Sequence, residues 1–305
     1  MKKKLFALAL TMGLTLTACG GGASTESAAP AGSAAPAESA AAETAAVSGG
    51  VKDGVLTVGM ECAYAPYNWT QMDDSNGAVP IANDPGSYAN GYDIMIAKKI
   101  AEANGWDLEV VATAWDSLTP SLQSGVIDAA IAGQSMTADR MAEVDMAGPY
   151  YYATIVCVTK ADSPLAGAKS ISELTGTCTA QQGTIWYDSC LSQIKGADLQ
   201  PAAETAPSMI MALETGTVDF ICTDMPTAMG AVATYPDLKI LDFSGTDGDF
   251  QFANEAERAE NVNIGISVQK GNTELLDAMN SVLSGMTQDD FEKLMNEAIS
   301  VQPEL

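Results

Sequence analysis

From Val55 onward, short runs rich in β-branched residues alternate with segments whose apolar residues recur every three or four positions. No other feature of the chain constrains the fold as much. VLTVGM at Val55–Met60, LEVVAT at 108–113 and VIDAAIAG at 126–133 read as buried strands. Between the first two, Asp93 is placed to cap a helix with Ile94, Ala97 and Ala101 on one face and Gly105 at its end. Asp116 or Ser117 is placed to cap a shorter helix carrying Leu118 and Leu122, with Pro120 in its first turn and Gly125 as its stop. The order βαβαβ predicts a parallel sheet covered by helices on both faces. Residues 70–90, rich in Asn, Asp, Gly and Pro, read as a surface excursion. A second block after Tyr152 predicts strands at 154–160, 177–181, 219–224 and 263–270. Its helices are expected at 187–194, 208–214, 274–285 and from Gln288 to about Ile299, with loop or short helix over 242–261.

Charge and residue types exclude whole classes of function. The chain has 14 Lys+Arg against 39 Asp+Glu, a formal net charge of -25, and so acidic a surface repels nucleic-acid phosphates. It contains no histidine, which removes Ser-His-Asp and Cys-His catalysis and His-bearing zinc sites. No metal and no cofactor is expected. Among the cysteines no C-x-x-C pair points to metal or redox work. Cys62, Cys157, Cys178, Cys190 and Cys222 are read as buried thiols, with a Cys178–Cys190 disulfide as the alternative.

The start of the chain reads as an address. Lys2, Lys3 and Lys4 precede an apolar stretch over 5–16, too short to span a hydrocarbon core of about 30 Å but suited to a signal segment. Leu16-Thr17-Ala18-Cys19 resembles the bacterial lipobox, which implies cleavage before Cys19 and a lipid on that residue. Residues 1–18 are therefore expected to be a lipoprotein signal, and 19–52, dominated by Ala, Ser, Gly and Pro, a tether with nothing to bury. The folded part is expected outside the cytoplasm, held to the cell membrane at Cys19.

Three segments place polar groups just beyond predicted strands, where ligands bind in open α/β sheets. The first runs from Glu61 through Tyr64 to Tyr67. The second contains Ala132, Gly133, Ser135, Thr137 and Arg140, with Thr137 as a helix cap and Arg140 in the first turn. A cation there opposes the helix dipole unless an anion sits nearby. Backbone N–H groups, a hydroxyl and a guanidinium fork together suit a carboxylate. The competing reading is a surface Arg140 paired with Asp139 or Glu143. The third pairs Gln182, Gly183 and Thr184 with Thr223 and Asp224, where Asp224 either accepts from an ammonium group or caps a helix before Pro226.

Taken in order, VGMECAYAPYNW, GYDIMIAKKIAEANG, WDSLTPSLQSGVIDAAIAGQSMTADR, GPYYYATIVCVTK, LETGTVDFICTDMPTAM and IGISVQKGNTELLDAMNSVL resemble the substrate-binding proteins of polar amino-acid ABC importers, solute-binding family 3. The resemblance implies a two-lobed α/β fold of the periplasmic-binding-protein type II class with two hinge crossings, near 152–155 and 262–265. It divides the chain into a first lobe of 53–153 plus 264–305 and a second of 154–263. It also implies that Arg140 clamps a ligand carboxylate with Ser135 and Thr184, and that Asp224 takes the ammonium with the Gly133 carbonyl. Tyr64 and Trp115 would sandwich the side chain, whose far end Glu61 reads. Ala132, Gln181 and Thr223 complete the implied contacts. A zwitterion leaving water needs both charges paired, which these roles satisfy.

The function expected is a lipid-anchored, non-catalytic receptor that delivers an amino acid to the permease and ATPase of an ABC importer. Glu61, with no second basic residue in the mapped pocket, disfavours acidic ligands, so arginine or lysine is expected first and polar neutral amino acids second. The alternatives are a ligand-binding sensor and a dehydratase-like enzyme on the same fold, for which Glu61 is the one strong general-acid candidate.

Overall fold

The computed structural model describes residues 51–303 except Lys52, so the expectations placed on the signal, on Cys19 and on nearly all of the tether lie outside the described residues. In chain order the elements begin with β1 (Val55–Met60), β2 (Ala63–Tyr64), β3 (Asn68–Gln71), β4 (Val79–Pro80), β5 (Tyr88–Asn90) and α1 (Tyr92–Asn104). There follow β6 (Asp107–Ala112), α2 (Leu118–Ser124), β7 (Ala129–Ser135), α3 (Ala138–Glu143), β8 (Asp145–Tyr151) and β9 (Ile155–Lys160). Next come β10 (Thr175–Thr179), β11 (Gly196–Leu199), α4 (Ala206–Glu214), β12 (Phe220–Asp224), α5 (Met225–Thr234) and β13 (Leu238–Asp242). The chain ends with α6 (Glu255–Val262), β14 (Ile264–Val268), α7 (Thr273–Leu283) and α8 (Gln288–Val301).

Two five-stranded sheets form two lobes. The first has the order β6-β1-β7-β14-β8 and the second β11-β10-β12-β9-β13. The chain leaves the first sheet after β8, enters the second at β9, and returns at β14. The inner strands β7, β12 and β14 are buried along their whole length, as their continuous apolar and small residues require when both faces are covered. The three strands of the expected βαβαβ unit run parallel, and β14 and β8, outside that unit, make the whole sheet mixed. β1 runs parallel to β6 and β7, but β14 runs antiparallel to both β7 and β8. Local pattern gives no direction to a strand that arrives from far downstream. Strands β8, β11 and β13, which sequence reasoning missed, lie at sheet edges where hydrophobic runs are short.

The stretch 70–90 lies largely at the surface, as expected, but it is not irregular. It builds most of a four-stranded antiparallel sheet, order β2-β3-β5-β4, in which Ile81 bridges to Val110 and both Ile81 and Ala89 are buried. Buried Trp69 and Asn90 belong to the same sheet, and the polar composition of the stretch hides it. The helix expected at 187–194 is instead a π-turn over Trp186–Cys190 followed by a 3-10 turn over Leu191–Gln193. Gly105 and Gly125 end α1 and α2 in left-handed conformation, as expected. The expected caps fail at both helix starts. Gly91, not Asp93, precedes α1, and neither Asp116 nor Ser117 caps α2 through its side chain. The five described cysteines are buried free thiols, so no Cys178–Cys190 bridge forms.

Gly91 sets the angle at which α1 enters the first lobe. Its φ is 125°, and a Cβ there would lie 2.4 Å from the Tyr67 carbonyl oxygen, the acceptor of the Asp93 N–H. Gly91→Ala is expected to cost on the order of 3 kcal/mol through strain and the displaced carbonyl, measured as a lower urea midpoint at unchanged slope.

Candidate functional site

Strand ends carry the site. Beyond β1, Glu61 and Cys62 turn the chain into β2, Cys62 holding a left-handed φ of 55° that carries Tyr64 inward to 4% exposure. At the end of β7, Ala132, Gly133 and Ser135 are buried, and Gly133 has a φ of 62°. The Thr137 hydroxyl then accepts from the Arg140 N–H at 3.2 Å, which fixes Arg140 in the first turn of α3 as expected. In the second lobe the Thr184 hydroxyl donates to the Gln181 carbonyl at 2.7 Å, closing the turn that follows β10. Thr223 and Asp224 end β12 fully buried, and Asp224 caps α5 by accepting from the Thr227 N–H at 2.8 Å.

These segments meet across the two lobes. The Tyr64 hydroxyl donates to Asp224 Oδ2 at 3.1 Å and accepts from the Thr227 hydroxyl at 3.1 Å. Gln181 Nε2 lies 3.5 Å from Glu61 Oε2. The Arg140 guanidinium donates to the Ser135 carbonyl and, across the interface, to the Gly183 carbonyl at 3.4 Å, while lying 5.6 Å from the Trp115 ring centre. Gly183 lies close to that ring, since a Cβ on it would meet Trp115 Nε1 at 3.1 Å. Gln182 Nε2 adds a bond to Asp116 Oδ2 at 2.9 Å. Of the expected aromatic pair, Trp115 thus lies against Arg140, and Tyr64 lies against Tyr67 with ring centres 5.0 Å apart.

Arg140 stands between two cavities. One of ≈ 530 Å³ opens on Thr184, Glu143, Asp188 and Glu257, and one of ≈ 320 Å³ on Trp115, Asp116 and Gln134. Neither reaches Asp224, whose carboxylate Tyr64 and Thr227 cover in this closed arrangement. Two larger cavities, ≈ 600 and ≈ 560 Å³, lie elsewhere, and none of the expected site residues lines them.

The electrostatics are those of buried charges that do not pair with one another. Burial pushes the Glu61 carboxyl up to about 7, the Gln181 hydrogen bond pulling back and the charge of Asp116 adding. Burial also raises Asp224, against hydrogen bonds from Thr227 and Tyr64. Burial lowers Arg140 to about 10, with Glu143 opposing, so the guanidinium stays charged at neutral pH. None of the ion pairs found among the described residues involves Glu61, Arg140 or Asp224, and the surface pairing of Arg140 with Asp139 or Glu143 is not formed. Opposed charges in a closing cleft can hold a small dipolar molecule by both ends.

Tyr67, Gln182 and Gly183 lie in the segments marked from sequence, but sequence reasoning missed Thr227, the bond from Arg140 to the Gly183 carbonyl and the Asp116–Gln182 bond. Thr227 alone carried a signal, three residues after a capping Asp; the others follow from how the lobes meet. Among the described residues no cluster fit to hold a metal ion is present, and no helix is long and apolar enough to cross a membrane.

Comparison with known proteins gives the same picture. The family model of the bacterial extracellular solute-binding proteins, family 3, matches residues 56–300. The chain is similar to the L-cystine-binding protein TcyA of Bacillus subtilis (strain 168), 27% identical over 95% of this chain and 94% of that one. It is similar to a probable histidine-binding protein of Neisseria gonorrhoeae, 26% identical over 96% of this chain and 94% of that one. Among solved structures it resembles an ancestral arginine-binding protein bound to arginine, with a TM-score of 0.62, 28% identity, and coverage of 80% of this chain and 97% of that one.

Proposed function

The chain belongs to the bacterial extracellular solute-binding proteins, family 3, and from that premise we propose that its ligand is a cationic amino acid, arginine or lysine first and polar neutral amino acids second. With the membership come the two-lobed periplasmic-binding-protein fold, work outside the cytoplasm, and delivery of an amino acid to an ABC importer rather than catalysis. The lobes divide as 53–153 plus 264–305 and 154–263, and Cys19 carries the lipid. Arg140 binds the α-carboxylate with Ser135 and Thr184, and Asp224 takes the α-ammonium with the Gly133 carbonyl. Tyr64 and Trp115 flank the side chain, and Ala132, Gln181 and Thr223 line it. The lobes part to admit the ligand and close on it, closure being driven by contacts to both.

One observation carries the choice of ligand. Glu61 is a largely buried carboxyl at the lobe interface whose nearest polar partner is a neutral amide 3.5 Å away. A guanidinium or ammonium on the ligand supplies the missing countercharge, whereas glutamate or aspartate brings a second anion with nothing to pair it. The similarity to a cystine-binding protein supports polar neutral ligands as the second reading.

Calorimetric titration against a panel of free amino acids tests this, and submicromolar glutamate binding with silent arginine and lysine overturns it. The pH dependence has a definite sign. Glu61 titrates near 7 in the free protein, and a cationic side chain beside it favours the carboxylate and lowers its pKa in the complex. Arginine affinity is therefore full above that value and falls, by up to about tenfold per pH unit, as pH drops through it. Glu61→Gln weakens arginine binding at high pH and flattens this slope.

A further inference from the structure

The binding scheme leaves one buried acid unused. Asp93 is 0% exposed and takes part in none of the ion pairs found among the described residues, yet both its oxygens are engaged. Oδ1 accepts from the Tyr150 hydroxyl at 2.7 Å and Oδ2 from Asn68 Nδ2 at 2.7 Å. The Tyr150 hydroxyl oxygen in turn accepts from the Gly133 N–H at 2.9 Å. Tyr150 is itself held by the Tyr92 hydroxyl, which donates to its carbonyl, and by stacking on the Tyr92 ring at 5.7 Å. Gly133 lies so close under Tyr64 that a Cβ there would be 2.8 Å from the ring, leaving no room for a side chain. Helix α1, the end of β7 and the last strand before the second lobe therefore converge on one carboxyl group.

We propose that Asp93 is a positioning residue for amino-acid binding: acting through Tyr150, it fixes the Gly133 peptide under Tyr64 and ties that segment to the strand that leads into the second lobe. The inference rests on the placing of the ligand at Gly133, Ser135 and Arg140 proposed above.

The direction of the chain of bonds matters. Gly133 N–H and Tyr150 O–H both donate toward Asp93, an orientation completed by an ionised carboxylate, which only accepts. A protonated Asp93 adds an O–H that faces groups already donating to it, so this donor competes with them for an acceptor. Burial pushes Asp93 up to about 7, with hydrogen bonds from Tyr150, Asn68 and Gly133 pulling back, so the two forms exchange near neutrality. The titratable groups that face it are Tyr150 of β8, Tyr92 of α1, Cys62 after β1 and, across the interface, Asp224; no cation is among them. If binding requires the ionised form, affinity is full above that pH and declines as pH falls through it.

Glu61 gives the same sign for a cationic ligand, so the test uses a Glu61→Gln background, with L-arginine and L-glutamine as probes from about pH 6 to about pH 8. In that background Asp93→Asn and Tyr150→Phe each weaken binding of the probe that binds by about tenfold at the upper pH. Each also flattens the remaining pH slope, and the double variant is no weaker than the weaker single. The relay is overturned if Asp93→Asn keeps both affinity and slope, or if the two losses add. Amide exchange at Gly133 in the ligand-free protein is a second readout, expected to quicken in both variants, and unchanged exchange also overturns the relay. Should Asp93→Asn not fold, Tyr150→Phe decides, since it keeps the ring. Silence of the unmodified protein toward both probes, with Gly133 exchange still responding to Asp93→Asn, places the failure in the ligand reading and not in the relay.

Discussion

Arg140→Ala is expected to abolish amino-acid binding while leaving the fold intact. Burial lowers the Arg140 pKa only to about 10, so the guanidinium is charged at neutral pH, and none of the ion pairs among the described residues neutralises it. Its bonds to the Ser135 and Gly183 carbonyls and its place on Trp115 fix the plane of the fork without supplying an anion. A ligand carboxylate supplies that anion, and bidentate pairing is the geometry a guanidinium offers. Removing the fork leaves the carboxylate desolvated and alone, at a cost above roughly 3 kcal/mol, more than about a hundredfold in Kd. Arg140→Lys keeps the charge and loses the fork, so it should fall between the two. Calorimetry with circular dichroism as the folding control checks this, and wild-type affinity in Arg140→Ala removes the carboxylate clamp altogether.

The parts of this fold that sequence made legible are those written in local pattern. β1, α1, β6, α2 and β7 were readable because apolar spacing, Gly105 and Gly125 all act within a few residues. The direction of β14, by contrast, is decided by pairing with β7 and β8, and no residue within the strand encodes it. Asp93 shows the same limit at one position. Its place at the start of a helix reads as a cap, but Gly91 takes that position and the carboxyl turns inward to Tyr150 and Asn68. The site behaves likewise. Glu61, Arg140, Gln181 and Asp224 stand out because each lies at or shortly beyond the end of a strand, and hydrogen bonds bring their segments to the interface of the lobes. The bonds that Thr227, Gly183 and Gln182 make to Tyr64, Arg140 and Asp116 exist only where two lobes meet, so spacing within either lobe could not pair them.

Asp224→Asn separates the two readings of that residue, because they predict opposite outcomes. Asp224 is 0% exposed, and burial raises its pKa against hydrogen bonds from Thr227 and Tyr64. As a helix cap it accepts from the Thr227 N–H, a duty asparagine performs about equally well. Stability of the unliganded protein should therefore hold or rise, since a buried carboxyl with no cation gives way to a neutral amide. Binding should collapse. The ligand ammonium loses its countercharge in a closed cleft, at a cost of about 3 kcal/mol or more, a hundredfold or greater rise in Kd. Thermal unfolding without ligand and calorimetry with it, on the same variant, give both numbers. A melting point that drops while affinity stays put would make Asp224 a cap for α5 and nothing else, and the ammonium would have to be bound elsewhere.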